Sequence, residues 1–465
     1  MTNGTEPPVS DLAEIGQIDE RGLRRAIQSL RDRRYRWWFV CQIFSSSGAM
    51  TQSVAQSWLV FRLTGNPFDL GVLGSVTWAP VLLGAAWGGA LADRFDRRHL
   101  MMATQALFVV VNAIQAVLVA TGRIQLWMIF TLAALNGAVM AVDSPTRQVY
   151  VFQLVGRERL ASAVGLFEVV INASRVLGPA VGGVLLAAVG TAPCFVFNAA
   201  SYLPMLWMLW VFKPDPPERE PAGSAGSGRR RGQPRGQPRG QRTGLRDGLR
   251  LVWHDPAIRS CILIATAASM VFNLGVPAPP FASRVLHLGG GGYGALMAAF
   301  GLGALPGALM AASARGEPDG RRLRVLTLLT GLAVILTAFS PVVLGAFLGL
   351  ALSGFFSIWL IAAANTLVQL RAGPARRGRV MGIWTMALPG SYPVSGLLVA
   401  LVSRASPRAG FSLSGVAMVA VALVTWGALA IRTSGNAAPF GTSLTDVPRV
   451  DAHRTLDETR SGHGT

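Results

Sequence analysis

Two ionisable residues, Glu168 and Arg175, stand inside one long apolar run, with Asn172 between them. A charge surrounded by hydrocarbon is expensive, so each needs a reason to be there. Seven residues apart, they fall on nearly one face of a helix. There a carboxyl group could cycle between protonated and ionised forms, with desolvation raising its pKa, while the guanidinium could bind an anionic group or modulate that proton site. A structural salt bridge to another helix is the alternative. Polar residues in other runs extend the same chemistry. Gln42, Gln52 and Gln56 with Ser45 to Ser47 form a stripe in the first run, and Asn273 and Asn365 stand in later ones. Such a stripe suits a hydrated cavity and equally suits hydrogen bonding between helices. Trp58, Trp78, Trp359 and Trp384 could stack on an aromatic or amphipathic molecule or pack towards lipid.

A second constellation lies in a short polar gap, where Gly89-Ala90-Leu91-Ala92-Asp93-Arg94-Phe95-Asp96-Arg97-Arg98 joins a small residue, a carboxylate and a dense basic turn. A carboxylate near a helix N-terminus gains hydrogen bonds and dipole stabilisation that break when neighbouring helices separate, which makes a two-state contact. Asp143 and Arg147, four residues apart, suit an i,i+4 pair, a partner for that loop or a substrate contact. Further on, Gly178-Pro179 precedes Gly182-Gly183. Gly178 and Gly182, one turn apart, let backbones approach closely, and Pro179 removes a helical hydrogen bond and creates a pliable point. Gly84 with Gly88 and Gly303 with Gly307 share that spacing, so ordinary small-residue packing explains it equally well.

Enzyme motifs are absent. The single lysine, Lys213, precedes a proline and cannot belong to a phosphate-binding loop. Gly289 to Gly292 lacks the preceding strand that a dinucleotide site needs, and the five histidines are scattered. Cys41, Cys194 and Cys261 are isolated in apolar stretches, which points to neither a disulfide framework nor a zinc site. No catalytic residue, metal or cofactor is expected.

The elements that carry these residues follow from composition. The 465 residues are 51% hydrophobic and only 14% charged, well below the roughly 25% charged of average soluble proteins. The formal charge of +19 resides almost wholly in the gaps between apolar runs and in one linker. Basic residues recurring at helix ends match anionic headgroups rather than nucleic acid, which is met by a basic folded face. A bilayer core about 30 Å thick needs roughly twenty apolar residues per helix. Such runs predict helices near 37–62, 69–92, 99–121, 125–147, 159–188 and 191–212, then 259–284, 291–314, 323–341, 343–370, 379–403 and 409–431. Twelve helices place both termini on one side. Arginines crowd alternate gaps (Arg94, Arg97, Arg98; Arg147, Arg157, Arg159; Arg315, Arg321, Arg322, Arg324; Arg371, Arg376, Arg377, Arg379), while Arg62, Arg123, Arg284, Arg404 and Arg408 populate the others thinly. Arginine-rich short loops mark the cytoplasmic face, so both termini are expected in the cytoplasm. The first residues show no signal-peptide core.

The chain divides into a cytoplasmic tail (1–35), a six-helix bundle (36–213), a basic linker (214–258), a second six-helix bundle (259–431) and a C-terminal tail (432–465). The linker, rich in Pro, Gly, Gln and Arg with a tandem Gly-Gln-Pro-Arg, cannot bury a core. Leu245 to Trp253 suits a short interfacial helix. Arg157-Glu158-Arg159 ahead of Gly178-Pro179 and Arg376-Arg377-Gly378-Arg379 ahead of Pro389-Gly390 form a weak repeat between halves.

The Gly89–Arg98 segment resembles the loop signature G-x-L-A-D-R-x-G-R-R of the major facilitator superfamily, with Asp96 in place of its second glycine. The resemblance implies an all-α membrane protein of twelve transmembrane helices in two pseudo-symmetric six-helix bundles. It also implies that Gly89, Asp93, Arg94, Arg97 and Arg98, with Asp143 and Arg147, act as a conformational latch. Gly178, Pro179, Gly182 and Gly183 resemble the superfamily's G-P-x-x-G-G signature, which implies export. Asp143-Ser144-Pro145-Thr146-Arg147, Asn365 to Gln369 and Arg377 to Met381 extend the likeness to its drug and siderophore exporter branch. The resemblance covers roughly residues 35–431.

The expected function is secondary transport of an amphipathic small molecule out of a bacterial cytoplasm, by alternating access and proton antiport. Glu168, Asn172, Arg175, Gln52, Gln56, Asn273 and Asn365 are the pathway candidates. The proton gradient replaces any cofactor as the energy source. The partners are the small molecule and the lipid bilayer of the inner membrane, without nucleic acid, and the chain is expected to act as a monomer. A lysophospholipid-type flippase binding a headgroup at Arg175 is the alternative on the same fold, and a membrane-embedded enzyme is the alternative of a different class.

Overall fold

The computed structural model describes residues 28–155, 160–212, 250, 252–313 and 318–429. A 3-10 turn at Gln28–Arg31 leads into fourteen helices, α1 (Arg33–Thr64), α2 (Pro67–Arg94), α3 (Arg97–Ala120), α4 (Leu126–Val155), α5 (Leu160–Ala188), α6 (Ala192–Ser201), α7 (Leu203–Val211), α8 (Pro256–Phe272), α9 (Ala278–Arg284), α10 (Gly290–Ser313), α11 (Gly320–Phe339), α12 (Val343–Ala387), α13 (Tyr392–Ala405) and α14 (Pro407–Val424). Among the described residues, ten stretches are long and apolar enough to cross a membrane. Together with α1 and the broken pair α8 and α9, they make the twelve passages expected. α1 is less apolar because it carries Gln42, Gln52 and Gln56, and all three are buried in protein rather than turned to lipid.

Local chemistry sets the boundaries. Asp32, Asn66, Asp96, Asp255 and Asp319 each accept backbone N–H bonds at the start of α1, α2, α3, α8 and α11, the side-chain capping that orphan amides of a first turn require. Gly65 ends α1 in the left-handed conformation, φ 62°, where a side chain would be strained. Three passages are broken where the apolar pattern runs on. Pro204 has no N–H to continue the ladder, and the sixth passage divides at Tyr202. Gly275 and Pro277 lie in the turn between α8 and α9, and Pro389 and Pro393 flank the 3-10 turn Pro389–Ser391 between α12 and α13. α12 contains two passages joined at Gly373, φ 65° and ψ 166°, a conformation that only glycine adopts readily.

The two halves repeat one packing scheme. In the first, α2 packs on α4, and α3 on α4 and α6; in the second, α10 packs on α12, and α11 on α12 and α14. Between halves the seam is formed by α5 against α10 and by α2 against α13. Most of the expected linker (214–249 and 251), most of the N-terminal tail (1–27), the C-terminal tail and Arg157 to Arg159 lie outside the described residues. So does most of the expected interfacial segment, of which Val252 and Trp253 are helical, with Val252 buried and Trp253 exposed.

Candidate translocation site and the seam between halves

Arg175 sits midway along α5, where Gly301 on α10 approaches closely: a Cβ on Gly301 would lie 2.5 Å from the Arg175 carbonyl oxygen. Pro179 cannot donate to that carbonyl, so the helix is loosened where it meets the other half. The half-buried guanidinium crosses the seam and lies 5.5 Å from the ring centroid of Phe272 at the end of α8. Phe272 meets Phe300 of α10 edge-on, 6.2 Å between centroids. Beside it, where α8 breaks, the Asn273 Nδ2 donates to the Ser269 carbonyl at 3.0 Å, the Tyr392 carbonyl at 3.3 Å and the Ser395 Oγ at 2.8 Å. The Tyr392 ring stands edge-on to Trp78 of α2, again across the seam, at 5.2 Å. A cation, an amide and four aromatic rings from both halves thus gather at mid-depth. The side chains of Glu168 and Asn172 lie outside the described part of α5.

The Gly-Pro motif serves both faces of α5. Gly178 packs on α1, where an added Cβ would fall 2.3 Å from the Met50 Cβ, and the Thr51 Oγ1 donates to the Gly178 carbonyl at 2.8 Å. Gly182 also faces Thr51. Gly183 faces the other half, and a Cβ there would lie 2.8 Å from the Gly294 backbone of α10.

Other expected pathway residues fasten helices within one half. The Gln52 Nε2 donates to the Gln56 Oε1 and to the Gln115 Oε1 of α3, each at 3.4 Å, and the Asn198 Nδ2 of α6 donates to the Gln52 Oε1. Gln52 thus bonds to α3 and α6, while the Gln56 bond stays within α1. Gln369 donates to Asn365 one turn back on α12, at 2.9 Å.

The expected latch residues likewise bond inside the first half. Asp143, 2% exposed, accepts the Thr104 Oγ1 and the Gln105 Nε2 from α3, both at 2.8 Å, and pairs with Arg147 on its own helix. Arg98 donates to the Leu209 and Trp210 carbonyls at 2.6 and 2.9 Å, satisfying the end of α7. Asp96, φ −58°, needs no glycine and caps α3 through the His99 N–H at 3.0 Å. That backbone bond, more than the neighbouring imidazole, lowers its pKa below the usual carboxylate range. Arg94 is exposed, Arg97 half-exposed, and the Asp93 side chain is outside the described residues.

The seam is closed at the distal end, where α1 ends and α2 begins. There the Ser75 Oγ donates to the Pro393 carbonyl at 2.9 Å, Trp58 stacks on Tyr293 at 5.8 Å, and Gly71 abuts Ala400 and Gly396. At the proximal end a Cβ on Gly89, Gly378 or Gly382 would meet nothing within 4 Å.

A family model described as a transmembrane secretion effector matches residues 25–452. The chain belongs to this family of the major facilitator superfamily. The transporter is 27% identical over 376 residues to the enterobactin exporter of Citrobacter koseri, covering 78% of this chain and 83% of that one. It is 32% identical over 165 residues to the staphyloferrin A transporter of Staphylococcus aureus, covering 34% and 42%. Its fold is that of a bacterial homologue of the human lysosomal transporter Spinster, with a TM-score of 0.62 at 13% identity over 86% of this chain and 96% of that one. It is a multi-pass membrane transporter and not an enzyme.

Sequence reasoning missed Phe272, Tyr392, Gln115 and Asn198. The aromatic pair carries no motif, and the two amides gain meaning only once α3 and α6 are placed beside α1.

Proposed function

We propose that this transporter exports a siderophore-like, anionic amphipathic molecule from the cytoplasm by alternating access. The observation that carries this reading is the Arg175 guanidinium over the Phe272 ring, a cation and a π-face from opposite halves at mid-depth. Charge attracts an anionic group to such a point, and the rings of Phe300, Tyr392 and Trp78 offer flat apolar surface for an aromatic or acyl portion. The names of the enterobactin and staphyloferrin relatives support the same class. With the termini, linker and arginine-rich gaps in the cytoplasm of a bacterial inner-membrane protein, the proximal end faces the cytoplasm and the distal end faces outward.

Glu168 is proposed as the acid that couples export to proton entry, and Asp93 with Arg97 as a latch that engages when the proximal end closes. The chain carries out this cycle as a monomer, its two bundles (36–213 and 259–431) rocking about the seam.

Proteoliposomes loaded with a panel of siderophores test the proposal. Arg175→Gln should lower transport of anionic members by tenfold or more, in keeping with about 1.4 kcal/mol of lost binding, while Arg175→Lys retains part of it. Glu168→Gln should abolish acceleration by a pH gradient. Equal loss for neutral and anionic molecules would remove Arg175 as the anion contact, and movement of lysophospholipid alone would favour the flippase reading.

A further inference from the structure

We propose that the distal gate is held shut by two guanidinium-on-phenyl clasps, Arg284 of α9 on Phe61 of α1 and Arg404 of α13 on Phe68 of α2. The inference rests on the alternating-access reading and names the contacts that bias it. Each clasp joins the second half to the first. The Arg284 guanidinium carbon lies 5.3 Å from the Phe61 centroid and that of Arg404 lies 5.8 Å from the Phe68 centroid, both within the range over which a ring quadrupole attracts a cation. Arg284 also donates to the carbonyl of Gly65, the left-handed residue that turns α1 into α2. Two clasps therefore grip the first hairpin on either side of its turn.

Among the described residues, three of the four guanidinium–ring contacts span the seam; the fourth, Arg324 on Trp426, stays in the second half. The ion pairs Asp96–His99, Asp143–Arg147 and Asp255–Arg371 each stay within one half. This division of labour has a physical logic. Separating the buried Asp143–Arg147 pair would leave an uncompensated charge, so it fastens what must stay together, while the other two pairs are more exposed. Parting a cation from a phenyl ring leaves no unsatisfied polar atom on the ring. Arg284 and Arg404 are exposed and return to water, whereas Phe61 is buried and keeps its apolar neighbours. The contact is weak enough to break in each cycle, and two acting together still bias the gate. Arginine suits it better than lysine because a planar guanidinium stacks on a ring face.

The test is a pulsed spin-label distance measurement across the distal seam in nanodiscs, with labels at exposed Leu63 and Val342 and with Cys41, Cys194 and Cys261 replaced by alanine. The unsubstituted chain should give a short and a long distance. Arg284→Gln with Arg404→Gln should raise the long-to-short ratio by about five- to thirty-fold, the product of two such contacts at exposed sites. Phe61→Leu with Phe68→Leu, which keeps apolar bulk and loses the ring, should do the same, and Arg284→Lys with Arg404→Lys should act more weakly. The arginine variants alter exposed side chains only, so they keep the test valid if loss of Phe61 impairs folding. An unchanged ratio in the glutamine variant overturns the clasps alone. A single distance in the unsubstituted chain and in every variant overturns alternating access with them.

Discussion

Gly183 and Gly294 touch backbone to backbone across the seam: a Cβ on Gly294 would sit 2.0 Å from the Gly183 Cα. Because neither residue has a side chain, α5 and α10 approach at the distal end more closely than any other residue type permits. Gly291 abuts Ala187 one turn away in the same way.

Gly294→Val should therefore wedge the distal end apart. Overpacking of this kind costs about 1–3 kcal/mol, charged here against the closed state only. The spin-label distance between Leu63 and Val342 should accordingly favour the longer value several-fold more in the Val variant than in the parent chain. An unchanged distribution would show that the halves do not close on this pair.

The buried Asp143 supports a second expectation. Asp143→Asn leaves Arg147, whose side chain is 18% exposed, without its carboxylate. Breaking one side of a buried pair costs about 3–5 kcal/mol, so the detergent-solubilised variant should melt well below the parent. Adding Arg147→Gln should recover part of the loss. If the single variant melts with the parent, the Asp143–Arg147 pair does not hold α4 in place.

The sequence makes the passages legible because hydrocarbon imposes length and apolarity, and because alternate gaps hold arginine. It makes their breaks less legible: Tyr202, Asn273 to Pro277 and Pro389 to Ser391 lie in apolar stretches, and a proline in such a helix can be bridged or can end it according to its neighbours. Side-chain direction is harder still. Gln52 and Asn273 are both amides in apolar runs, yet Gln52 turns inward to Gln115 and Asn198, while Asn273 braces the break beside Phe272. A helical stripe fixes which residues share a face and leaves open what that face meets. Arg284 and Arg404 illustrate the same limit. As sequence they are stray cations in basic-poor gaps, and only the placement of Phe61 and Phe68 gives them partners.

The central claim is a route between two halves with Arg175 on its wall and its mouth towards the cytoplasm. A cysteine at that position, in a chain whose three buried cysteines are replaced, can be probed with a membrane-impermeant thiol reagent from either side of oriented vesicles. Modification should come from the cytoplasmic side in the resting state, with little from outside. Resting modification from outside only, or from neither side in any condition, would contradict it.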